Sequence, residues 1–203
     1  MASLYDIKPR FQALLRPRVE QLAEAGVTAN EVTLAALGLS LAEGVLLYLF
    51  AGATLPLLLL PVVLLVRMAL NAVDGMLARE HDQASKLGLF LNELSDMVSD
   101  AALYLPLALH PDFSGLLVAG IVVLALVGEA AGLAAQSIGA SRRYDGPMGK
   151  SDRALAFGAL GTFSALGLIG WTFVAVALAL MAVLLCLTIW NRVRGALAEI
   201  GEA

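Results

Sequence analysis

The sequence predicts an all-α, polytopic membrane protein, in which an N-terminal interfacial amphipathic helix precedes six transmembrane helices. Three observations carry that prediction. The 203 residues are 60% hydrophobic and only 15% charged, with a mean hydropathy of +0.84, whereas a soluble domain averages about 25% charged residues. Apolar runs long enough to cross a bilayer, roughly 20 residues at 1.5 Å rise each, recur along the chain. Finally, all but one of the 13 Lys and Arg residues sit at alternate ends of those runs. The chain divides accordingly into an interfacial helix (1–27), a six-helix membrane domain (28–197) and a C-terminal tail (198–203).

Residues 3–25 read as a helix lying in the interface. Leu4, Ile7, Phe11, Leu14, Leu15, Val19 and Leu22 recur at helical spacing, with Arg10, Arg16, Glu20 and Glu24 on the other face. Pro9 and Pro17 are expected to kink this helix or divide it in two. Gly26 is expected to end it, and Thr28 to cap the first span. The spans are expected at 29–51, 55–79, 86–109, 114–140, 152–169 and 171–193. Three connections are short and carry no Lys or Arg ("AGATLP", "HPDFSG", "LIGW"), while "EHDQASK" and "ASRRYDGPMGK" are polar and basic.

Charge then sets orientation. Lys8, Arg10, Arg16 and Arg18 precede the first span, Arg79 and Lys86 flank one basic loop, and Arg142, Arg143, Lys150 and Arg153 flank the other. Arg192 and Arg194 lie at the end of the last span, and only Arg67 is left inside a span. The positive-inside rule therefore predicts a multi-pass inner-membrane protein with both termini and both basic loops cytoplasmic. Its partner surface is the lipid bilayer, with no nucleic acid expected. The single Cys186 excludes an intramolecular disulfide, and the first thirty residues lack the ordered regions of a signal peptide.

The stretch "NAVDGMLAREHDQASKLGLFLNELSDMVSD", Asn71 to Asp100, places six acidic side chains across two otherwise apolar runs. A charge at a span's centre costs at least about 2.5–3.5 kcal/mol, so such residues usually face a partner or a cavity. The loop between spans two and three is short, so the two form an antiparallel hairpin. Asp74 then lies roughly 7.5 Å up from Arg79, and Asn92 roughly 9 Å up from Lys86; Asn71 and Asp96 meet one turn deeper. Four oxygen-bearing side chains converge near the cytoplasmic surface, as a hard divalent cation requires. Gly75, Ala78 and Gly88 remove bulk beside them, which suits either close helix packing or close approach of a ligand.

Asp74–Gly75–x–x–Ala78–Arg79, then eight residues, Gly88, three, Asn92, three and Asp96 resembles the signature of the CDP-alcohol phosphatidyltransferase family. That signature reads D-x-x-D-G-x-x-A-R-x8-G-x3-D-x3-D. The resemblance implies a membrane transferase of phospholipid biosynthesis. It would move a phosphatidyl or related phosphoalcohol group from a CDP-linked donor, CDP-diacylglycerol above all, to an acceptor hydroxyl with release of CMP. It also implies a Mg²⁺ or Mn²⁺ cofactor, a homodimer, and a polyol phosphate or other hydroxyl as acceptor. By position, Asp74 becomes a metal ligand and Asp96 the catalytic base and a metal ligand. Gly75, Ala78, Arg79 and Gly88 line the nucleotide and pyrophosphate. Asn71 and Asn92 occupy two positions where the family has metal-binding aspartates. An amide carbonyl can ligate the metal but brings no charge, which leaves open a single metal, weaker metal binding or loss of activity.

The remaining charges are auxiliary candidates. Glu93, beside Asn92, could restore one negative charge, although it points about 100° away around the helix. Arg67 and Asp100 are expected to pair within the hairpin. Glu129 reads either as a hydrogen-bonded packing residue or as part of the polar pocket. Arg142, Arg143 and Lys150 suit an acceptor-phosphate site as well as topology and headgroup contact; "MGK" resembles an acceptor-binding segment of the family. Gly128 and Gly132 form a small-residue face that suits dimerisation. Two other classes stay open: a noncatalytic relative that binds nucleotide or lipid, favoured by Asn71 and Asn92, and a small-solute transporter, which should show helices broken at the midplane.

Overall fold

The computed structural model describes residues 4–201, with side chains from Phe11 onward. Leu4, Ile7 and Arg10 of the expected amphipathic pattern, and the last two residues of the expected tail, lie outside the described residues or side chains. Among the described residues there is no strand. The α-helices are α1 (Leu4–Glu24), α2 (Ala29–Leu49), α3 (Thr54–Glu80), α4 (Lys86–Tyr104), α5 (Gly115–Ala134), α6 (Lys150–Ala165) and α7 (Trp171–Glu199), with 3-10 turns at Leu105–Leu109 and Ala135–Ile138. Each expected apolar run forms a helix. Among the described residues, four are long and apolar enough to cross a membrane: α2, α3, Gly115–Ile138 and α7. The helices α4 and α6 fall outside that class. The first carries Lys86, Glu93, Asp96 and Asp100, and the second has only 16 residues. At the C-terminus α7 continues to Glu199, into the segment expected to be a tail.

The chain forms two compact units, the first from Met1–Ala42 and Val62–Ser99, the second from Glu43–Pro61 and Asp100–Ala203. In the first unit α1 is one helix through Pro9 and Pro17 rather than two. Val19 is fully buried, with Leu15, Leu22 and Ala23 beside it, against Ala29 and Val32 of α2 and Val73, Met76 and Leu77 of α3. Leu15, Val19 and Leu22 share a face at i, i+4 and i+7. Leu14 is turned off that face and is 75% exposed. Gly26, at φ +79°, ends α1 in a Schellman motif, with its N–H on the Ala23 carbonyl at 3.0 Å and that of Val27 on Leu22 at 2.9 Å. A capping box opens α2. The Glu31 N–H donates to the Thr28 hydroxyl oxygen at 3.2 Å, and the Thr28 N–H donates to the Glu31 carboxylate at 2.8 Å.

In the second unit α5 packs along α7. The buried face of α7 runs Val174, Leu178, Met181, Leu185, Thr188, Arg192 and Ala196. It is apolar for most of its length and turns polar over the last turns. The matching face of α5 runs Val118, Ile121, Val122, Ala125, Gly128 and Gly132. Small residues thus stand opposite the arginine. One Arg192 guanidinium nitrogen donates to the Gly128 carbonyl at 2.5 Å. A methyl group on Gly132 would lie 2.6 Å from the Arg143 carbonyl oxygen. The Gly128/Gly132 face expected to serve a dimer is therefore filled from within the chain. Elsewhere in this unit Tyr104 stacks on Phe157, ring centroids 4.3 Å apart, and Gly44 lets α2 approach the backbone of Ala102 more closely than any Cβ would allow.

Candidate functional site

The first unit holds a cavity of about 290 Å³ built from three helix ends. The N-terminus of α2 contributes Ala29, Asn30 and Thr33; the C-terminal turns of α3 contribute Asn71, Asp74, Gly75, Ala78 and Arg79; Gly88, Leu89 and Asn92 come from α4, and Gln83, Ala84 and Ser85 from the hairpin loop. The loop is fixed to α2 by Gln83, whose carbonyl oxygen accepts the Ala29 N–H at 2.6 Å and whose amide donates to the Val27 carbonyl at 3.3 Å. That contact satisfies an otherwise unpaired N–H at the start of α2.

Asp74 is only 5% exposed, and the Thr33 hydroxyl donates to its Oδ2 at 2.8 Å. Arg79 folds back over Gly75, where a methyl group would sit 3.1 Å from a guanidinium nitrogen. A methyl group on Gly88 would lie 2.9 Å from the Asn30 side-chain oxygen. Both glycines therefore admit a neighbouring polar side chain at the cavity wall. Close packing and a ligand-facing position coincide here.

One turn deeper, Asn71 and Asp96 meet as the hairpin arithmetic predicts. The Asn71 Nδ2 donates to Asp96 Oδ1 at 2.9 Å, and Arg67 adds a bond to the same oxygen at 3.3 Å and another to the Asp96 carbonyl at 3.1 Å. Arg67 is 2% exposed, while the Asp96 side chain retains 25% exposure. Asp96 and Glu93 are absent from the cavity lining, where Asp74 is the one carboxylate. Asn92 lines the cavity with Asp74, and Glu93 is buried.

The other charged candidates gather in the second unit around Glu129. Its carboxylate takes Arg153 at 3.2 Å, Arg192 at 3.3 Å and Arg142 at 3.5 Å. Arg153 also bonds Asp100 at 2.8 Å. Within its own unit, then, Arg67 is held by Asp96, and within the other Asp100 is held by Arg153. The loop after α5 is tied down to α7. Arg143 bonds Asp145 at 2.8 Å and Glu199 at 2.9 Å, Met148 donates its N–H to the Thr188 hydroxyl at 2.9 Å, and Asn191 donates to the Gly146 carbonyl at 3.0 Å. Arg143 is thus committed to two carboxylates of the chain. Lys150 opens α6, whose N-terminal cap is the Asp152 carboxylate on the Gly149 N–H at 2.8 Å.

Sequence reasoning missed Thr33 and Gln83 at the cavity and the anchoring roles of Arg153 and Arg192. The signal for the arginines was present. A cation on the apolar stripe of a span needs a partner there, and Glu129 is the acidic residue inside the facing helix.

The helix ends of the first unit thus enclose a cavity lined by Asp74, Arg79 and several amide side chains. The pattern of the CDP-alcohol phosphatidyltransferase family matches residues 27–190, and the chain belongs to that family. It is 54% identical over 159 residues to the inner membrane protein YnbA of Escherichia coli (strain K12), covering 78% of this chain and 79% of that protein. It is 31% identical over 126 residues to an archaetidylinositol phosphate synthase of Pyrococcus horikoshii, 62% of each chain. The fold is similar to that of a Mycobacterium tuberculosis phosphatidylinositol phosphate synthase solved with CDP-DAG bound, at TM-score 0.75 and 22% identity over 92% of this chain and 94% of that one. The same protein in complex with manganese and citrate aligns at TM-score 0.75 and 21% identity, over 92% and 90% of the two chains.

Proposed function

We propose that the protein transfers a phosphatidyl or related phosphoalcohol group from a CDP-linked lipid donor to an acceptor hydroxyl in the inner membrane, releasing CMP. The observation that carries this reading is the cavity in which Asp74, Gly75, Ala78, Arg79, Gly88 and Asn92 of the family signature come together. In this reading α4 and α6 complete six spans, α1 lies in the interface, and the cavity opens to the cytoplasm. The donor's acyl chains stay in the bilayer while its headgroup enters the cavity.

The acceptor oxygen attacks the phosphorus that bears the alcohol group. A P–O bond forms as the anhydride bond to the cytidylyl phosphate breaks, and that electron pair leaves with CMP. Arg79, at the rim above Gly75, holds the pyrophosphate as a fork of donors. Asp96, oriented by Arg67 and Asn71, accepts the hydroxyl proton. Arg142 and Lys150 attract an acceptor phosphate, with Arg143 fixing their loop. The donor set fits a hard divalent cation: Asp74 and the amides of Asn71 and Asn92 line the cavity, although among the described residues no three His, Cys, Asp or Glu side chains form a ready-made cage. Mg²⁺ or Mn²⁺ bound there supplies charge neutralisation for the pyrophosphate.

The test is CMP release by purified protein from CDP-diacylglycerol with Mg²⁺ or Mn²⁺ and a panel of polyol phosphates and lipid alcohols. Asp96→Asn should lower the rate by about 10²–10⁴-fold; undiminished release would remove Asp96 as base. A second reading, a noncatalytic relative, draws on Asn71 donating to Asp96 where a carboxylate could not. It predicts CDP-lipid binding with no CMP from any acceptor. The transporter alternative expected broken helices, whereas α2, α3 and α7 run without interruption.

A further inference from the structure

We infer that α1 positions the candidate site: it braces the back of the α3 turns whose front lines the cavity, with Val19 as the packed contact and Arg16–Glu80 as the lock. For its ligand this role rests on the proposed transferase reading. Two sets of residues on the last turns of α3 repeat at i, i+3, i+4 and i+7. Asn71, Asp74, Gly75 and Ala78 line the cavity. Val73, Met76, Leu77 and Glu80 stand two residues further on, about 200° around the helix, and so lie on its opposite face. Those four meet α1. Val19 is fully buried and packs with Val73, Met76 and Leu77, and with Ala29 and Val32 at the start of α2. Arg16, one turn before Val19 on the same side of α1, grips Glu80 as a fork. Its Nε donates to Oε2 at 3.1 Å and its Nη2 to Oε1 at 3.0 Å.

The two contacts do different things. An ion pair this exposed, 51% and 36% at the two side chains, adds little stability. Its paired bonds instead fix how one helix is rotated against the other. The apolar contact supplies the packing, so the stripe of Leu15, Val19 and Leu22 is covered by the chain rather than left to lipid. A shift of the α3 end moves Asp74, Gly75 and Ala78 as a body. Arg79 moves with them, because its guanidinium lies over Gly75. A displacement of about 1 Å in such groups is enough to impair a reaction that depends on placement. Neither Arg16 nor Val19 lines the cavity, so both are positioning residues.

The experiment is hydrogen–deuterium exchange of the detergent-purified full chain, read over residues 71–80, with CDP affinity measured by calorimetry in the presence of Mn²⁺. Arg16→Glu sets two carboxylates face to face. It should speed exchange over 71–80 and weaken CDP binding by about threefold or more, with exchange in α7 unchanged. Glu80→Arg should do the same, although it adds positive charge beside the cavity. The double variant Arg16→Glu/Glu80→Arg should bring both readouts back to within about twofold of wild type. Val19→Ala should speed the same exchange with no change of charge. Unchanged exchange in Arg16→Glu, tighter CDP binding in Glu80→Arg, or a double variant no better than the singles would each overturn the inference. So would faster exchange with undiminished CDP affinity. A helix held by lipid alone would stay impaired in the double variant, so rescue excludes that role. The expected pattern without CMP release leaves the brace standing and removes the transferase reading. A wild type that binds no CDP also removes that reading, and exchange over 71–80 then decides alone whether α1 braces α3.

Discussion

Arg67 and Glu129 show how single residues are placed by the price of burying charge. Arg67 has 3% side-chain exposure and meets Asp96 at 25%. Removing one partner of a buried pair leaves the other uncompensated, at about 3–5 kcal/mol for a fully buried pair. Because Asp96 is partly exposed, Arg67→Ala should cost about 3 kcal/mol or less, read as a lowered denaturation midpoint in detergent. In a double-mutant cycle with Asp96→Asn the two losses should be less than additive by about 0.5 kcal/mol or more. Strictly additive losses would mean the pair contributes nothing. Glu129 faces Arg153, which has 2% side-chain exposure, and Arg192 at 3%. Glu129→Ala should therefore be the more damaging change, and Glu129→Gln should recover part of the loss by keeping hydrogen bonds without the charge.

The loop between α5 and α6 is the element with the most to lose from a change of pH or of volume. The Arg143 guanidinium, bonded to Asp145, holds that carboxyl below the usual aspartate range. A depressed folded value means the contact contributes stability above the unfolded aspartate value of about 3.9, lost as pH falls through the lower folded value. Protease cleavage in residues 139–149 should accordingly rise in acid, and Asp145→Asn should show high cleavage already at neutral pH. Gly132→Ala tests the same element by volume. Its methyl group would meet the Arg143 carbonyl oxygen at 2.6 Å, so the loop must lift from α5. The expected result is greater cleavage with α5 and α7 still helical by circular dichroism.

For the whole molecule the testable quantity is orientation. All but one of the 13 Lys and Arg residues sit at alternate ends of the apolar runs along the sequence, and the positive-inside rule predicts that those ends are cytoplasmic. A fluorescent protein fused after Glu199 should fluoresce, and alkaline phosphatase fused at Gly52 or Asp112 should be active. The opposite pattern would invert the topology and put the cavity on the wrong side for CDP-linked donors.

The helices were legible in the sequence because apolar length and helix rise are local quantities. So was the meeting of Asn71 with Asp96, since a short loop fixes the register of a hairpin and 1.5 Å per residue does the rest. The Thr28 cap and the Gly26 terminus follow from neighbouring residues in the same way. Which partner each remaining charge takes was not legible. Arg153 reaches Asp100 and Glu129, 53 and 24 residues away, and several carboxylates satisfy the same rule that a buried arginine needs one. Nor does a Gly128/Gly132 stripe say whether its occupant is a second chain or, as found, Arg192 and the backbone of Arg143. The sequence by itself determined the helices, their order and the hairpin that brings the signature together. Only the tertiary structure decided the pairing of charges, because that choice depends on distances between segments far apart in the chain, which packing sets and composition does not.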